Sequence, residues 1–163
     1  MTLADQASSL PTSAQPAITE LVLQRGDMLL IDRVVYGDNE RVEVVARFRP
    51  NHPFVGPRGI PCWVGVELMA QAVAAFSGLQ LRANGNRPRI GLLLGTRSFV
   101  AHAPYFPAGV DLTIVAELVL RDGEGIGVFD CTIQRGAERF AEAQLKGLAP
   151  ADLTPFLEAA IDD

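Results

Sequence analysis

Two side chains near the middle of the sequence have the chemistry for proton transfer, His52 and Glu67. His52 lies in a loop, residues 49–61, that holds four prolines and two glycines. Each proline fixes its own φ and restricts the residue before it, so the loop is stiff and holds the histidine in place. Imidazole, with an ordinary pKa of about 6.5, takes up and returns a proton near neutral pH. His52 is therefore a candidate general base, the alternative being a surface histidine with one loop hydrogen bond.

Glu67 lies within an apolar run over residues 61–81 that predicts a buried helix. An unpartnered carboxylate in such a helix is unfavourable. Gln71 follows one helical turn later on the same face and can orient the carboxyl group through its side-chain amide. The pair therefore fits a catalytic acid with a supporting glutamine. It also fits a buried polar pair that only sets the register of the helix.

The start of this helix is a candidate oxyanion site. Pro61 is suited to an early helical position, which would leave the backbone N–H groups of Cys62 and Trp63 unpaired and directed at the loop. Such groups can stabilise a developing oxyanion. Together these parts suggest that His52 abstracts a proton beside a carbonyl polarised by a first-turn N–H, while Glu67 protonates a leaving hydroxyl.

Other chemistry finds less support in the sequence. His102 follows a strand and is interpreted as structural, and no second histidine is placed to activate Cys62 as a nucleophile. Two histidines and two cysteines without ligand-like spacing predict no metal site. Because nucleotide and phosphate-loop motifs are also absent from the sequence, no cofactor is expected.

The elements that must position these residues follow from hydrophobic periodicity. Two strands come first, then the loop, the helix and four more strands; the predicted ranges are 28–36, 42–48, 61–81 (helix), 92–100, 112–120, 126–133 and 139–145. One apolar helix can be buried all round only if a sheet wraps it. We therefore predict an α+β fold, a curved antiparallel sheet round one long central helix. Its open edges would be covered by pairing with a second copy, which predicts a dimer.

Length and composition limit the organisation and the partners. A chain of 163 residues makes one domain, predicted over 17–150, with a flexible N-terminal tail at 1–16 and a C-terminal tail at 151–163 that could hold a short helix. The net charge of −5 argues against nucleic acid as a partner. Unpaired Cys62 and Cys131 indicate a reducing, cytoplasmic location.

The apolar run has about the length of a membrane span. Against that interpretation, Glu67 and Gln71 fall near its middle, where an ionisable group in lipid is costly, and basic or aromatic anchors are not clustered at its ends. A core helix is therefore expected, with no membrane span.

Several segments resemble the hotdog-fold 3-hydroxyacyl-acyl-carrier-protein dehydratases. The stretches that carry the likeness are 23–34 (LQRGDMLLIDRV), 51–54 (NHPF) and 67–71 (ELMAQ). Within that family the ApeP-like branch, associated with aryl-polyene pathways, is most similar, through 56–67 (GPRGIPCWVGVE) and 91–97 (GLLLGTR). The resemblance spans residues 23–145.

The resemblance implies a function and an assembly. His52 and Glu67 would be the catalytic pair, the histidine of one protomer facing the acid of the other, with Gln71 in support. The substrate would be an acyl thioester on a phosphopantetheine arm, carried by acyl carrier protein or CoA, and the product a trans-2-enoyl thioester. A homodimer is expected, with a heterodimer with a related dehydratase as the alternative.

The chain departs from the family pattern at three points. Gln24 replaces a histidine, Cys62 replaces the helix-start glycine whose N–H binds the thioester carbonyl, and one extra residue separates His52 from Glu67. Two further functions therefore stay open, an acyl thioesterase and a non-catalytic acyl-binding or partner subunit. Four arginines form a basic group: Arg82, Arg87, Arg89 and Arg97. This group is a candidate docking site for an acidic carrier protein, the alternative being ordinary solvated surface.

Overall fold

The computed structural model describes residues 15–152 and 154–155. The main helix is α1, Gly65–Ala83, and the strands are β1 Arg33–Gly37, β2 Arg41–Ala46, β3 Ile60–Pro61, β4 Leu92–Ala101, β5 Tyr105–Phe106, β6 Leu112–Arg121, β7 Ile126–Arg135 and β8 Glu138–Leu148. Six strands form one antiparallel sheet in the order β1-β2-β6-β7-β8-β4, and β3 pairs with β5 in a small separate ribbon. The predicted α+β hotdog architecture is confirmed. Most of both predicted tails lies outside the described residues.

The helix packs on one face of the large sheet because its larger apolar side chains lie on one side. Leu68, Met69 and Phe76 are fully buried, together with alternate residues of β2, β6, β7 and β8. The opposite side of α1 is only half covered, so the expectation of a helix buried all round is too strong. The range Cys62–Ala83 is long and apolar enough for a membrane span, but half of its apolar window is buried inside the protein. Its packing is that of a core helix.

Two predicted boundaries are wrong for the same kind of reason. The first strand begins at Arg33 rather than at residue 28, because Gly26–Met28 form a 3₁₀ turn and the backbone of Met28 and Leu30 bonds the side chain of Gln71. Pro61 is a strand residue, not a helical one. It pairs with Tyr105, and α1 begins at Gly65 after a 3₁₀ turn over Cys62–Val64. In both places a long-range contact overrides the local pattern.

The two edges of the sheet differ. β1 has five residues, whereas β4 has ten, and its free edge carries exposed apolar side chains such as Leu93 and Val100, at 47% and 44% exposure. Within the described chain β4 bonds only β8 along its length. A long apolar edge of this kind is a surface suited to pairing with another chain.

Candidate active site

The loop before α1 holds His52 rigidly, as its prolines predict. The His52 N–H donates to the Arg49 carbonyl and the Val55 N–H donates to the His52 carbonyl. The imidazole lies between two aromatic rings, with centroid distances of 5.0 Å to Phe48 and 5.5 Å to Phe54. This packing fixes the plane of the ring.

Both ring nitrogens of His52 are engaged by backbone groups. Nδ1 accepts a hydrogen bond from the Phe54 N–H at 3.2 Å, so Nε2 of the neutral ring carries the proton and donates to the Asp27 carbonyl at 3.1 Å. To accept a proton from a substrate, the ring must release one of these two contacts. Within a single chain His52 is therefore positioned but not yet free to act as a base.

Glu67 is fixed by Gln71, as the spacing on one helix face predicts. The fully buried Gln71 side chain accepts from the Leu30 N–H at 2.9 Å through Oε1 and donates through Nε2 at 2.7 Å to both the Met28 carbonyl and Glu67 Oε1. Three partners leave this amide little freedom to rotate. The Glu67 carboxyl group is consequently held in one orientation on the half-buried side of α1.

The segment 27–30 connects the two candidate side chains. His52 bonds Asp27 at its start, and Gln71 bonds Met28 and Leu30 further along. Sequence reasoning assigned most of this segment to a strand and missed its role. The signal available was Gly26, which adopts φ +60° and turns the chain before the apolar run.

The two predicted oxyanion donors, the N–H groups of Cys62 and Trp63, lie in different surroundings. The Cys62 N–H donates to the Pro104 carbonyl at 3.1 Å, next to the β3–β5 ribbon, so the expectation that this group is unpaired is wrong. Trp63 follows in the 3₁₀ turn, and its N–H stays a predicted donor. Trp63 is 62% exposed, and its indole packs on the Phe54 ring in a T-shaped contact at a centroid distance of 5.8 Å.

A cavity of about 680 Å³ runs along the half-covered side of α1. Glu67 lies at its end near the start of the helix. Beyond Glu67, the helix side of this groove is lined by the small residues Ala70, Ala74, Ser77 and Gly78 together with Val73, Gln80, Leu81 and Asn84. Residues 21–24, residues 89–93 and the faces of β7 and β8 form the other walls. His52 is not among the lining residues, so one chain brings the acid, but not the histidine, to the groove.

The four arginines of the predicted docking group lie in different settings. Arg82 and Arg87 line a second pocket of about 380 Å³ together with Arg25, and Arg82 is paired with Glu20 at 3.0 Å. Arg89 lines the groove, and Arg97 is exposed on β4. The carrier-docking role of the group stays a prediction.

The other residues considered from sequence lie apart from the groove. His102 Nε2 is 3.6 Å from Glu142 at the surface, in keeping with a structural interpretation. Cys131 is buried, and desolvation raises the pKa of its thiol to about 12, which keeps the thiol protonated. Among the described residues, no three His, Cys, Asp or Glu side chains cluster as metal ligands would.

Similar solved structures agree with a hotdog architecture. A structure of the dehydratase heterocomplex ApeI:P from Xenorhabdus doucetiae matches with a TM-score of 0.82 and 23% identity, covering 89% of this chain and 97% of that one. The PaaI protein of the phenylacetic acid degradation operon of E. coli matches with a TM-score of 0.55 and 18% identity, over 71% of this chain and 81% of that one. A hypothetical thioesterase with coenzyme A from Streptococcus pneumoniae matches with a TM-score of 0.54 and 17% identity, over 71% of this chain and 83% of that one.

The sequence itself identifies the family. The family model described as ApeP-like, ApeP dehydratase, matches residues 16–158, and the chain belongs to this family of hotdog dehydratases. No curated protein matches the chain significantly.

Proposed function

We propose that the protein is a dehydratase that removes water from a 3-hydroxyacyl thioester, bound to acyl carrier protein, to give the trans-2-enoyl thioester in fatty-acid or polyene-type biosynthesis. The observation that carries the proposal is the Glu67–Gln71 pair at one end of an apolar groove. A carboxyl group held beside a cavity lined mainly by apolar residues can serve as the acid for an oxygen leaving an acyl chain.

In the proposed reaction the C2–H bond breaks as a base takes the proton, and its electrons form the C2=C3 double bond. The C3–O bond breaks, and Glu67 gives its proton to the departing hydroxyl, which leaves as water. The base is the imidazole of His52 from a second protomer, because His52 does not line the groove of its own chain. The backbone N–H of Trp63 is the proposed donor to the thioester carbonyl.

The second protomer is proposed to pair along β4. This ten-residue edge bonds only β8 within the described chain and exposes Leu93, Leu94 and Val100. A homodimer is the first expectation. This chain belongs to the ApeP-like family and is similar in structure to a chain of the ApeI:P heterocomplex. Both findings support a heterodimer with a related dehydratase as the alternative.

The mechanism is tested by replacing each catalytic group. His52→Ala and Glu67→Gln should each lower the rate of enoyl formation from a 3-hydroxyacyl thioester about 10²-fold or more, as expected for general acid–base groups. Glu67→Gln keeps an oxygen that Gln71 can bond. The matched controls are His102→Ala and the exposed Glu117→Gln, which should retain full activity. Retained activity in both site variants would overturn the mechanism.

The arginine group is tested separately. Charge reversal of Arg87 should raise the KM for carrier-bound substrate and leave the KM for a pantetheine thioester unchanged, because only the carrier protein supplies an acidic surface. Arg89 is left intact because it lines the groove. Arg82 is left intact since Glu20 already pairs with it. An equal change for both substrates would count against docking at this surface.

A thioesterase is the second candidate. The engagement of both His52 ring nitrogens favours it, because a thioesterase in which Glu67 directs water at the thioester carbonyl does not need the histidine. Thiol release measured side by side from 3-hydroxyacyl and saturated thioesters separates the two activities. Release from both substrates without enoyl formation would identify a thioesterase.

A non-catalytic partner subunit is the third candidate. The occupied Cys62 N–H favours it, because a group already bonded to Pro104 is not free to bind a thioester carbonyl. In that case the purified chain alone would be inactive, and His52→Ala would leave the activity of a reconstituted heterodimer unchanged. Turnover by the purified homodimer would exclude this role.

A further inference from the structure

The end of the groove farthest from Glu67 has an unusual floor. One row across the sheet runs Arg121, Gly127, Gly147, Leu93, on strands β6, β7, β8 and β4 in turn. Residues directly opposite one another on neighbouring strands share a face of the sheet, and all four line the groove. Two adjacent strands therefore carry no Cβ at this point, and the Phe129 ring lies over Gly127 while Gly147 stays open.

The helix above this floor is also short of side-chain atoms. Ala74, Ser77 and Gly78 line the groove. This part of α1 lies over the row, because Phe76 packs on Phe129 with a centroid distance of 5.4 Å and Arg121 lies over the Phe76 ring. Gly78 lies so close to the N-terminal segment that a Cβ there would be 2.3 Å from the Leu21 carbonyl oxygen. The Phe129 ring takes the space over Gly127, where a Cβ would be 2.7 Å from it, so the open room above this row is the space that a side chain at Gly147 would fill.

The walls between Glu67 and this floor suit a hydrocarbon chain. Ala70, Val73, Phe129 and Leu145 line them, and these side chains offer no hydrogen bond to the amides of a pantetheine arm. The span from Glu67 to Ser77 is ten residues, about 15 Å of helix, which is roughly a dozen bonds of an extended chain. An acyl group whose reacting carbons lie at Glu67 would place its far end over the two glycines.

We infer that the Gly127–Gly147 pair forms the receptacle for the distal end of the acyl chain, so that the missing side chain at Gly147 sets the longest acyl group the protein accepts. This inference rests on the proposed function for the position of the thioester at Glu67. Acyl groups much shorter than the groove do not reach the pair, so a substitution there does not change their binding.

Gly147 is the position at which the inference can be tested without disturbing the fold. A Cβ at Gly147 has only the Leu92 carbonyl oxygen near it, at an ordinary contact distance of 3.7 Å. A Cβ at Gly127, in contrast, would meet the ring of Phe129 at 2.7 Å. Gly147→Val therefore fills the receptacle, and Lys146→Val is the matched control because it adds the same side chain to the exposed face of β8.

Binding is measured by calorimetry with thioether analogues of N-acetylcysteamine, which neither a dehydratase nor a thioesterase can turn over. Gly147→Val should weaken binding of the tetradecyl analogue about tenfold or more and leave the butyl analogue unchanged, since a misfit of even one methylene in an apolar pocket has this scale. Lys146→Val should bind both like the wild type. Equal weakening for both lengths, or no weakening for the tetradecyl analogue, overturns the inference.

Turnover of the matching 3-hydroxyacyl N-acetylcysteamine thioesters is measured in parallel, with thermal unfolding as the check of folding. The same length-selective loss is expected in kcat/KM. If Gly147→Val weakens binding of the long analogue only, but the wild type forms no enoyl product, the proposed dehydratase fails while the receptacle stands. If the wild type forms product but Gly147→Val has no length dependence, the receptacle fails alone.

Discussion

At the start of α1 the groove is built by hydrogen bonds, whereas at its far end it is built by missing side chains. Near Glu67, the buried Gln71 amide joins the helix to the backbone of Met28 and Leu30. Near Ser77, the floor is a pair of facing glycines. Proton transfer requires a carboxyl group in one orientation, while an acyl chain requires only space. Substitutions should therefore disrupt the two ends in different ways. The end near Glu67 is disrupted by removing hydrogen bonds, and the far end by adding side-chain atoms.

The largest effect is expected from Gln71→Leu. The substitution leaves the Leu30 N–H and the Met28 carbonyl without their partner in the core, and each unsatisfied group costs about 1–3 kcal/mol. The free energy of unfolding should fall by about 2–5 kcal/mol in urea titrations, and activity should fall with it. Gln80→Leu is the control at the other end of the helix, where the amide donates one bond, to the Asp38 carbonyl, and about 1 kcal/mol should be lost. Equal losses would remove the distinction between the two ends.

An intermediate effect is expected from Gly78→Ala. The added methyl group would be 2.3 Å from the Leu21 carbonyl oxygen, so backbone has to move, at about 1–3 kcal/mol. That penalty exceeds the gain of about 1 kcal/mol in helix propensity. Thermal unfolding should show a lower Tm, and Gly147→Ala, whose methyl group meets only the Leu92 carbonyl oxygen at an ordinary 3.7 Å, should leave the Tm nearly unchanged. A higher Tm for Gly78→Ala would mean that residues 21–24 do not close the groove.

The smallest effect concerns the turn that anchors the far end of the helix. Burial alone would raise the pKa of Asp38, but hydrogen bonds from the Tyr36 hydroxyl and the N–H groups of Glu40 and Arg41 outweigh it and lower the pKa below its ordinary 3.8. A carboxyl group whose pKa is lower in the folded than in the unfolded chain stabilises the fold above pH 3.8. This contribution is lost as the pH falls through the pKa of the folded state. The difference in unfolding free energy between wild type and Asp38→Asn should therefore be present at neutral pH and shrink below about pH 4. A difference that grows on acidification would contradict this assignment.

The parts of the site that sequence reasoning found are those that depend on local spacing. Glu67 and Gln71 are one helical turn apart, and their bond follows from the geometry of any helix. The prolines around His52 likewise predict a fixed loop, which the backbone bonds of Arg49 and Val55 confirm. The four long strands after residue 91 were predicted to within a few residues, whereas the two-residue β5 was not predicted.

The parts that it missed depend on contacts between distant positions. Pro61 was assigned to the helix because nothing near it in sequence reveals its pairing with Tyr105, and the Pro104 carbonyl that occupies the Cys62 N–H is equally remote. Facing glycines at positions 127 and 147 are visible only once the register of β7 and β8 is known.

By itself the sequence determined one long apolar helix, the strands that pack on it and a carboxyl group fixed by its neighbour, since apolar periodicity and helical spacing act over a few residues. Only the tertiary structure decided that His52 bonds the backbone of Asp27, that the Cys62 N–H is occupied and that two glycines meet beneath the helix. Each of these depends on which strand edges and loops come together, and burial of the whole core, rather than any local preference, sets that arrangement.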